Sequence, residues 1–232
     1  MISSNTLFET ECSYDDAKIV IFGAPFDSTT SYRPGTRFAS RTMRAESYGL
    51  EYYSPAQGID LSEVKFHDAG DLELSFGDTI KTLNDVEEFT QKILGDEKFP
   101  IMLGGEHLLT FATVKAAFKN FDDLAIVHFD AHADLRENYL NVKFSHATVM
   151  RRIYELVGDK SIYQFAIRSG DKSEFEFARN HTNLNLFNFK NLDEAIELLK
   201  NRHVYFTVDL DVLDPSVFPG TGTPEAGGVS FI

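Results

Sequence analysis

Short, nearly unbroken apolar runs recur along this chain, and segments of helical periodicity lie between them. The runs are residues 18–22 (KIVIF), 101–103 (IML), 124–129 (LAIVHF), 162–167 (IYQFAI) and 204–208 (VYFTV), with a weaker one at 64–66 (VKF). A strand with one wet face alternates apolar and polar side chains. Unbroken runs mark strands buried on both faces, as in a parallel sheet. The helix-like segments are residues 80–94, 109–119, 147–157, 172–179 and 192–200. In the last of these Asp193, Glu194 and Glu197 precede Lys200, the order a helix dipole favours. Strand–helix alternation predicts an α/β fold: one domain over residues 1–232, a three-layer α/β/α sandwich with a mainly parallel sheet and no internal boundary.

Composition narrows the function classes. The net charge of −14 disfavours nucleic acid and anionic lipid as partners and attracts small cations. A single cysteine, Cys12, leaves no intrachain disulfide and fits a reducing, cytoplasmic setting. The start, MISSNTLFETECSYDD, has neither the basic opening nor the apolar centre of a signal peptide. No apolar run approaches the length of a membrane span.

Ligands of parallel sheets bind beyond the carboxyl ends of the strands, and three of the runs end in metal-ligand residue types. IML is followed by GGEH, ending in His107. LAIVHF is followed by Asp130, His132 and Asp134. VYFTV is followed by Asp209 and Asp211. Spacings of two on an extended backbone aim such side chains one way. A D-x-H-x-D string alone could be a solvated loop; three clusters, each directly after a buried strand, point to one site. Four carboxylates and two imidazoles suit Mn²⁺, and also admit Mg²⁺, Fe²⁺, Co²⁺ or Zn²⁺. Unpaired, four carboxylates in one pocket would force at least one to hold a proton. Six ligands make two ions per chain the natural count.

The segments GGEH (104–107), FDAHADL (129–135), SHATVMRR (145–152) and VDLDVLDPSVFPGTGTPEAGG (208–228), with GAPFDSTTSYRPGTRFAS (23–40), resemble the ureohydrolases, the family of arginase and agmatinase. The stretch from 130 to 152 looks more like agmatinase, because the loop Leu135–Tyr139 lacks the Asn, Thr and Ser side chains with which arginases hold an amino acid. The resemblance implies that His107, Asp130, Asp134 and Asp209 hold one Mn²⁺ and that Asp130, His132, Asp209 and Asp211 hold the other. It also implies that His146 shuttles a proton, that Asp134 accepts one, and that Thr223 lines the guanidinium pocket. The implied reaction is attack of a metal-bridging hydroxide on the guanidinium carbon of agmatine, giving putrescine and urea. The implied assembly is a homo-oligomer, a trimer or hexamer. Guanidinobutyrase, formimidoylglutamase and arginase are the alternatives within the family.

Ureohydrolases continue past the last of these motifs with a helix, a strand carrying a guanidinium-binding glutamate, and a final helix. The 232 residues contain no match to that segment. The sequence therefore also admits a metal-binding homologue without turnover.

Other polar groups fit background roles. His128 reads as a core histidine behind the ligands, and Asp68 and Asp71 as part of a structural turn. His67, His181 and His203 read as incidental. The glycine-rich stretch 220–228 lacks the lysine of a phosphate loop and reads as a substrate loop. Arg33, Arg37, Arg41, Arg44, Arg151 and Arg152 read as solvated or subunit-facing.

Overall fold

The structure, a computed structural model, describes residues 6–230. Within them the chain divides into two compact units, residues 6–27 with 35–105 and residues 28–34 with 106–230.

In the first unit, β1 (Ile19–Ala24) is the centre of a three-stranded parallel sheet. Next come α1 (Ala39–Ser47) and a short antiparallel pair, β2 (Tyr53–Ser54) and β3 (Ile59–Asp60). Then follow β4 (Phe66–Asp71), α2 (Thr79–Gly95) and β5 (Phe99–Gly104). β4 and β5 flank β1, with Ile19 in register with both Phe66 and Phe99. Ile21, Phe66 and Leu7 are buried together. Asp78 starts α2 by accepting the Lys81 N–H at 2.9 Å, and Leu83, Val86, Thr90 and Ile93 lie on its buried stripe. Just past β5, a Cβ on Gly105 would lie 1.8 Å from the carbonyl oxygen of Phe26, so only glycine fits there.

The predicted strand at 64–66 is displaced to β4, whose sequence FHDAGD is polar. Arg44 explains how a polar strand is buried. It is not solvated but 5% exposed, and it donates Nε to Asp68 Oδ2 at 2.7 Å and Nη2 to Asp68 Oδ1 at 2.9 Å. Its Nη1 reaches Asp71. Burial alone would raise the Asp68 pKa. The hydrogen bonds from Arg44, Leu7 N–H and Gly70 N–H outweigh it and hold the carboxyl below its usual value.

The second unit contains α3 (Leu109–Phe118), β6 (Ala125–Phe129), α4 (Val149–Val157), β7 (Ile162–Ile167), α5 (Lys172–His181), β8 (Asn183–Leu186), α6 (Leu192–Leu199) and β9 (Val204–Val208). Its four strands lie in the order β8-β7-β6-β9, all parallel. A cluster of Ala125, Val127, Phe165, Ala195 and Leu199 buries one face under α6. α5 begins with a capping box of Asp171 and Glu174. On β9 the apolar Val204, Phe206 and Val208 are 43%, 55% and 41% exposed.

The expected α/β class with mainly parallel strands is borne out. The runs at 18–22, 101–103, 124–129, 162–167 and 204–208 coincide with strands, with only Lys18 and Leu124 just outside them. β8 (NLNL) escaped notice because its alternation is that of a half-buried edge. α1 escaped because ASRTMRAES offers little apolar periodicity. Arg152 is a second correction: it is 2% exposed, with Nη2 3.0 Å from Glu155 Oε1. No helix among the described residues is long and apolar enough to cross a membrane.

Candidate metal centre

All six predicted ligands belong to the second unit, and the carboxyl ends of β6 and β9 deliver five of them. β6 and β9 pair so that Phe129 meets Val208. Asp130 and Asp209 therefore leave the sheet side by side, and the Asp209 N–H donates to the Phe129 carbonyl at 2.9 Å. A 3-10 turn, Leu210–Val212, then carries Asp211 back, its N–H bonded to Asp209 Oδ1 at 2.9 Å. Asp211 Oδ1 accepts the Ala131 N–H at 3.0 Å, which ties the two strand ends together. His107 lies on the turn that opens α3.

His132 stays extended enough to bridge Ser169 as a strand residue would. Asp134 does not: its φ is +53°, a left-handed conformation that is uncommon outside glycine. The uniform alternation expected from the spacing therefore ends at Asp134. Its turned backbone sends the carboxylate to His107, and its carbonyl accepts the N–H groups of Met150 and Arg151 at the start of α4.

Two groupings result, and both contain Asp130. In one, His107 Nδ1 lies 2.9 Å from Asp130 Oδ2, 3.2 Å from Asp134 Oδ2 and 3.8 Å from Asp209 Oδ2. In the other, His132 Nδ1 lies 3.0 Å from Asp211 Oδ2 and 3.4 Å from Asp130 Oδ1. The two oxygens of Asp130 thus face different clusters. Asp209 stands at the margin of the first, with its side chain 32% exposed.

The electrostatics are those of a cation site. Burial works against charge on His107 and His132. The carboxylates of Asp130 and Asp134 beside its ring nonetheless hold His107 well above its ordinary value, and those of Asp130 and Asp211 push His132 up to about 12. Asp130 is held well below its usual range, because the imidazoles of His107 and His128 outweigh its burial. Burial and then the charge on Asp130 push Asp134 up to about 7 and Asp211 up to about 6. Burial and then the charges on Asp211 and Asp130 push Asp209 to about 7. Without added positive charge, these acids share protons.

His107 Nδ1 is buried among three carboxylates and makes no well-formed hydrogen bond, while its Nε2 sits 3.0 Å from Thr207 Oγ1. An imidazole anchored at one nitrogen and bare at the other, facing carboxylate oxygens, fits a divalent ion with oxygen and nitrogen ligands.

His146 sits on Thr29 and Ser31. Its N–H donates to Thr29 Oγ1 at 3.0 Å, and its ring nitrogens lie 3.4 Å from Thr29 Oγ1 and 3.2 Å from Ser31 Oγ. Glu106 clamps Thr29 by accepting its N–H at 2.7 Å and its hydroxyl. Burial, reinforced by the charge of His132, lowers the His146 pKa. Thr223 Oγ1 is 3.4 Å from Asp211 Oδ2. Sequence reasoning passed over Glu106, Thr29, Gln164 and Glu225. Glu225 has its Oε1 3.6 Å from His132 Nε2, and it stands two residues from Thr223 in a motif already singled out.

Comparison with known proteins identifies the family. The arginase family model matches residues 17–232. An agmatinase of Bacillus cereus is 46% identical over 231 residues, which is 98% of this chain and 79% of that protein. A solved structure from Clostridium difficile is 50% identical with a TM-score of 0.93, covering 94% of this chain and 80% of the other. The agmatine ureohydrolase of Thermoplasma volcanium is 37% identical with a TM-score of 0.90, covering 99% and 79%. The chain belongs to the arginase family.

Proposed function

We propose that this chain is a binuclear manganese amidinohydrolase that cleaves agmatine to putrescine and urea. The observation that carries the reading is the division of the Asp130 oxygens between two histidine–carboxylate clusters. Agmatinases with 44–46% identity over nearly the whole chain favour agmatine among guanidino substrates.

In this reading His107, Asp130, Asp134 and Asp209 hold one ion and Asp130, His132, Asp209 and Asp211 the other. When bound, two such ions lower the pKa of water toward neutrality and so supply a nucleophile for the guanidinium carbon. The chain supplies the rest. Asp134, buried beside His107, would take the proton released by the attacking water. His146, kept neutral by burial and steadied by Thr29 and Ser31, carries a proton to the departing amine. Thr223, beside Asp211, lines the guanidinium side of the pocket. The surrounding carboxylates and the net charge of −14 favour a dicationic substrate. A cytoplasmic homo-oligomer, trimeric or hexameric, completes the reading, and light scattering tests its assembly.

The deciding experiment loads the protein with Mn²⁺, measures metal content, and follows urea release from agmatine, arginine, 4-guanidinobutyrate and N-formimidoylglutamate. Two ions per chain with turnover of agmatine above the others is expected. Preferential turnover of another compound overturns the substrate, and one tightly held Zn²⁺ overturns the centre.

A further inference from the structure

Behind the ligands, a polar row crosses β7, β6 and β9, whose other residues are apolar or aromatic. In the parallel register of the second unit, His128 of β6 is paired with Gln164 of β7 and with Thr207 of β9. Residues in register on adjacent strands share a face, so these three side chains stand together. His128 and Gln164 are fully buried and Thr207 is 6% exposed. Polar groups so placed are costly unless each finds a partner. Thr207 serves His107, as described above.

The partners of Gln164 fix the chemistry of His128. The carbonyl of Ala133 can only accept, and it lies 2.9 Å from one end of the Gln164 amide, which must therefore be the NH₂ end. The other end, Oε1, accepts the Thr182 hydroxyl at 3.0 Å. The second hydrogen of that NH₂ points to His128 Nδ1 at 3.1 Å. Nδ1 must then present a lone pair, and in the neutral ring the proton resides on Nε2. Nε2 lies 2.8 Å from Asp130 Oδ2 and donates to it. The other oxygen, Oδ1, accepts the backbone N–H of His132. Each oxygen of the shared carboxylate is thus held by one donor, and each keeps a lone pair for its own cluster.

We propose that His128, held in its Nε2–H form by Gln164, is a positioning residue that sets the Asp130 carboxylate to span two metal sites. The relay begins and ends within one turn: it starts at the carbonyl of Ala133, between His132 and Asp134, and returns to Asp130. It couples the orientation of the bridging group to the backbone that carries the other two ligands. His128 itself is not a ligand in this arrangement, because its Nδ1 is occupied by Gln164 and its Nε2 carries the proton. Apolar replacements of His128 or Gln164 would keep the sheet filled and leave Asp130 free to rotate.

The inference rests on the two-ion reading, so the test measures metal before activity. The full chain and its His128→Phe, His128→Gln and Gln164→Met variants are titrated with Mn²⁺ by calorimetry, with electron paramagnetic resonance reporting whether the ions are exchange-coupled. His128→Phe should weaken at least one ion by about 10–100-fold, the usual loss when a partner of a ligand is removed, and should lose the coupled signal. His128→Gln, whose amide can still donate to Oδ2, should recover most of both. In ¹⁵N-histidine-labelled, metal-free protein, nitrogen shifts should report Nε2–H for His128 and a mixed or reversed tautomer in Gln164→Met. Should His128→Phe fail to fold, that tautomer measurement decides the matter.

A folded His128→Phe protein that binds two coupled ions with wild-type affinity would overturn the proposal, as would an Nδ1–H tautomer in the wild type. Wild-type protein that binds no divalent ion overturns both this proposal and the catalytic reading. Wild-type protein that binds two ions but hydrolyses no guanidino compound overturns only the latter.

Discussion

Arg44→Met is the substitution whose cost to stability the structure specifies most fully. Arg44 is almost completely buried and spends Nε and Nη2 on Asp68 and Nη1 on Asp71. Methionine fills the aliphatic part of its volume and removes every donor. Asp68 then keeps only the N–H groups of Leu7 and Gly70 for a buried charge. Removing one partner of a buried pair in this way costs about 3–5 kcal/mol, a large part of the roughly 5–15 kcal/mol that holds a domain together. Urea denaturation at pH 7 should show it as a lower midpoint with unchanged slope.

Replacing both partners, with Asp68→Leu added, should cost less than the sum of the single changes, because no bare carboxylate remains. The sign with pH follows from the depressed folded pKa of Asp68. Its contribution is complete above the ordinary carboxylate pKa of about 4, and is lost as pH falls through the lower folded value. The deficit of the Arg44→Met protein should therefore be largest at neutral pH and shrink in acid, where Asp68 is protonated in either protein. A cost below about 1 kcal/mol, the level of an exposed pair, would show that Arg44 and Asp68 do not form the buried pair described.

The remaining expectations concern the metal centre and its approach. Binding of Mn²⁺ at pH 7 should release protons, from the imidazoles of His107 and His132 and in part from Asp134 and Asp209. Affinity should then fall as pH falls, and calorimetry in buffers of different ionisation enthalpy counts the protons; release of less than about one would contradict the charges assigned to these groups. Asp130→Asn should reduce metal content to about one ion or less and abolish turnover, because both clusters share that carboxylate. His146→Asn should keep its metal and lose about 10²–10⁴-fold in kcat; a variant within threefold of wild type would remove His146 from the proton path. Gly105→Ala, with its new Cβ 1.8 Å from the Phe26 oxygen, should cost about 3 kcal/mol or more, read as thermal midpoint or as loss of soluble protein.

Much of this was legible because the strands of the parallel sheets leave a continuous apolar record, even in β9, one face of which is exposed. The runs 124–129 and 204–208 gave β6 and β9 almost to the residue, and with them the strand ends from which Asp130 and Asp209 emerge. Elements whose burial depends on a partner far along the chain left no such record. β4 reads as a polar turn until Arg44, 24 residues earlier, is placed against Asp68. α1 reads as solvated for the same reason, since Arg44, with Ser40 and Ser47, lies on its buried side. Spacing alone also misread the backbone at Asp134, because alternation assumes an extended chain and a left-handed residue leaves no signature in its own identity.

The polar row behind the centre was read only at His128, and its other members, Gln164 and Thr207, could have been read with it. Side chains two apart on a strand share a face. The residue two before a strand-end ligand therefore points to the same side as that ligand, one layer deeper. For Asp130 that residue is His128, and for Asp209 it is Thr207. Each interrupts a run that is otherwise apolar apart from that one position, and Gln164 interrupts the neighbouring run in the same way. A polar side chain on a buried strand face persists only where a partner offsets its desolvation, so each interruption implies a second group within reach. His128 and Thr207 find theirs in Asp130 and His107, two of the residues that would hold the ions. The apolar runs thus locate the sheet, their ends locate the ligands, and the exceptions within the runs locate the groups that keep those ligands in place.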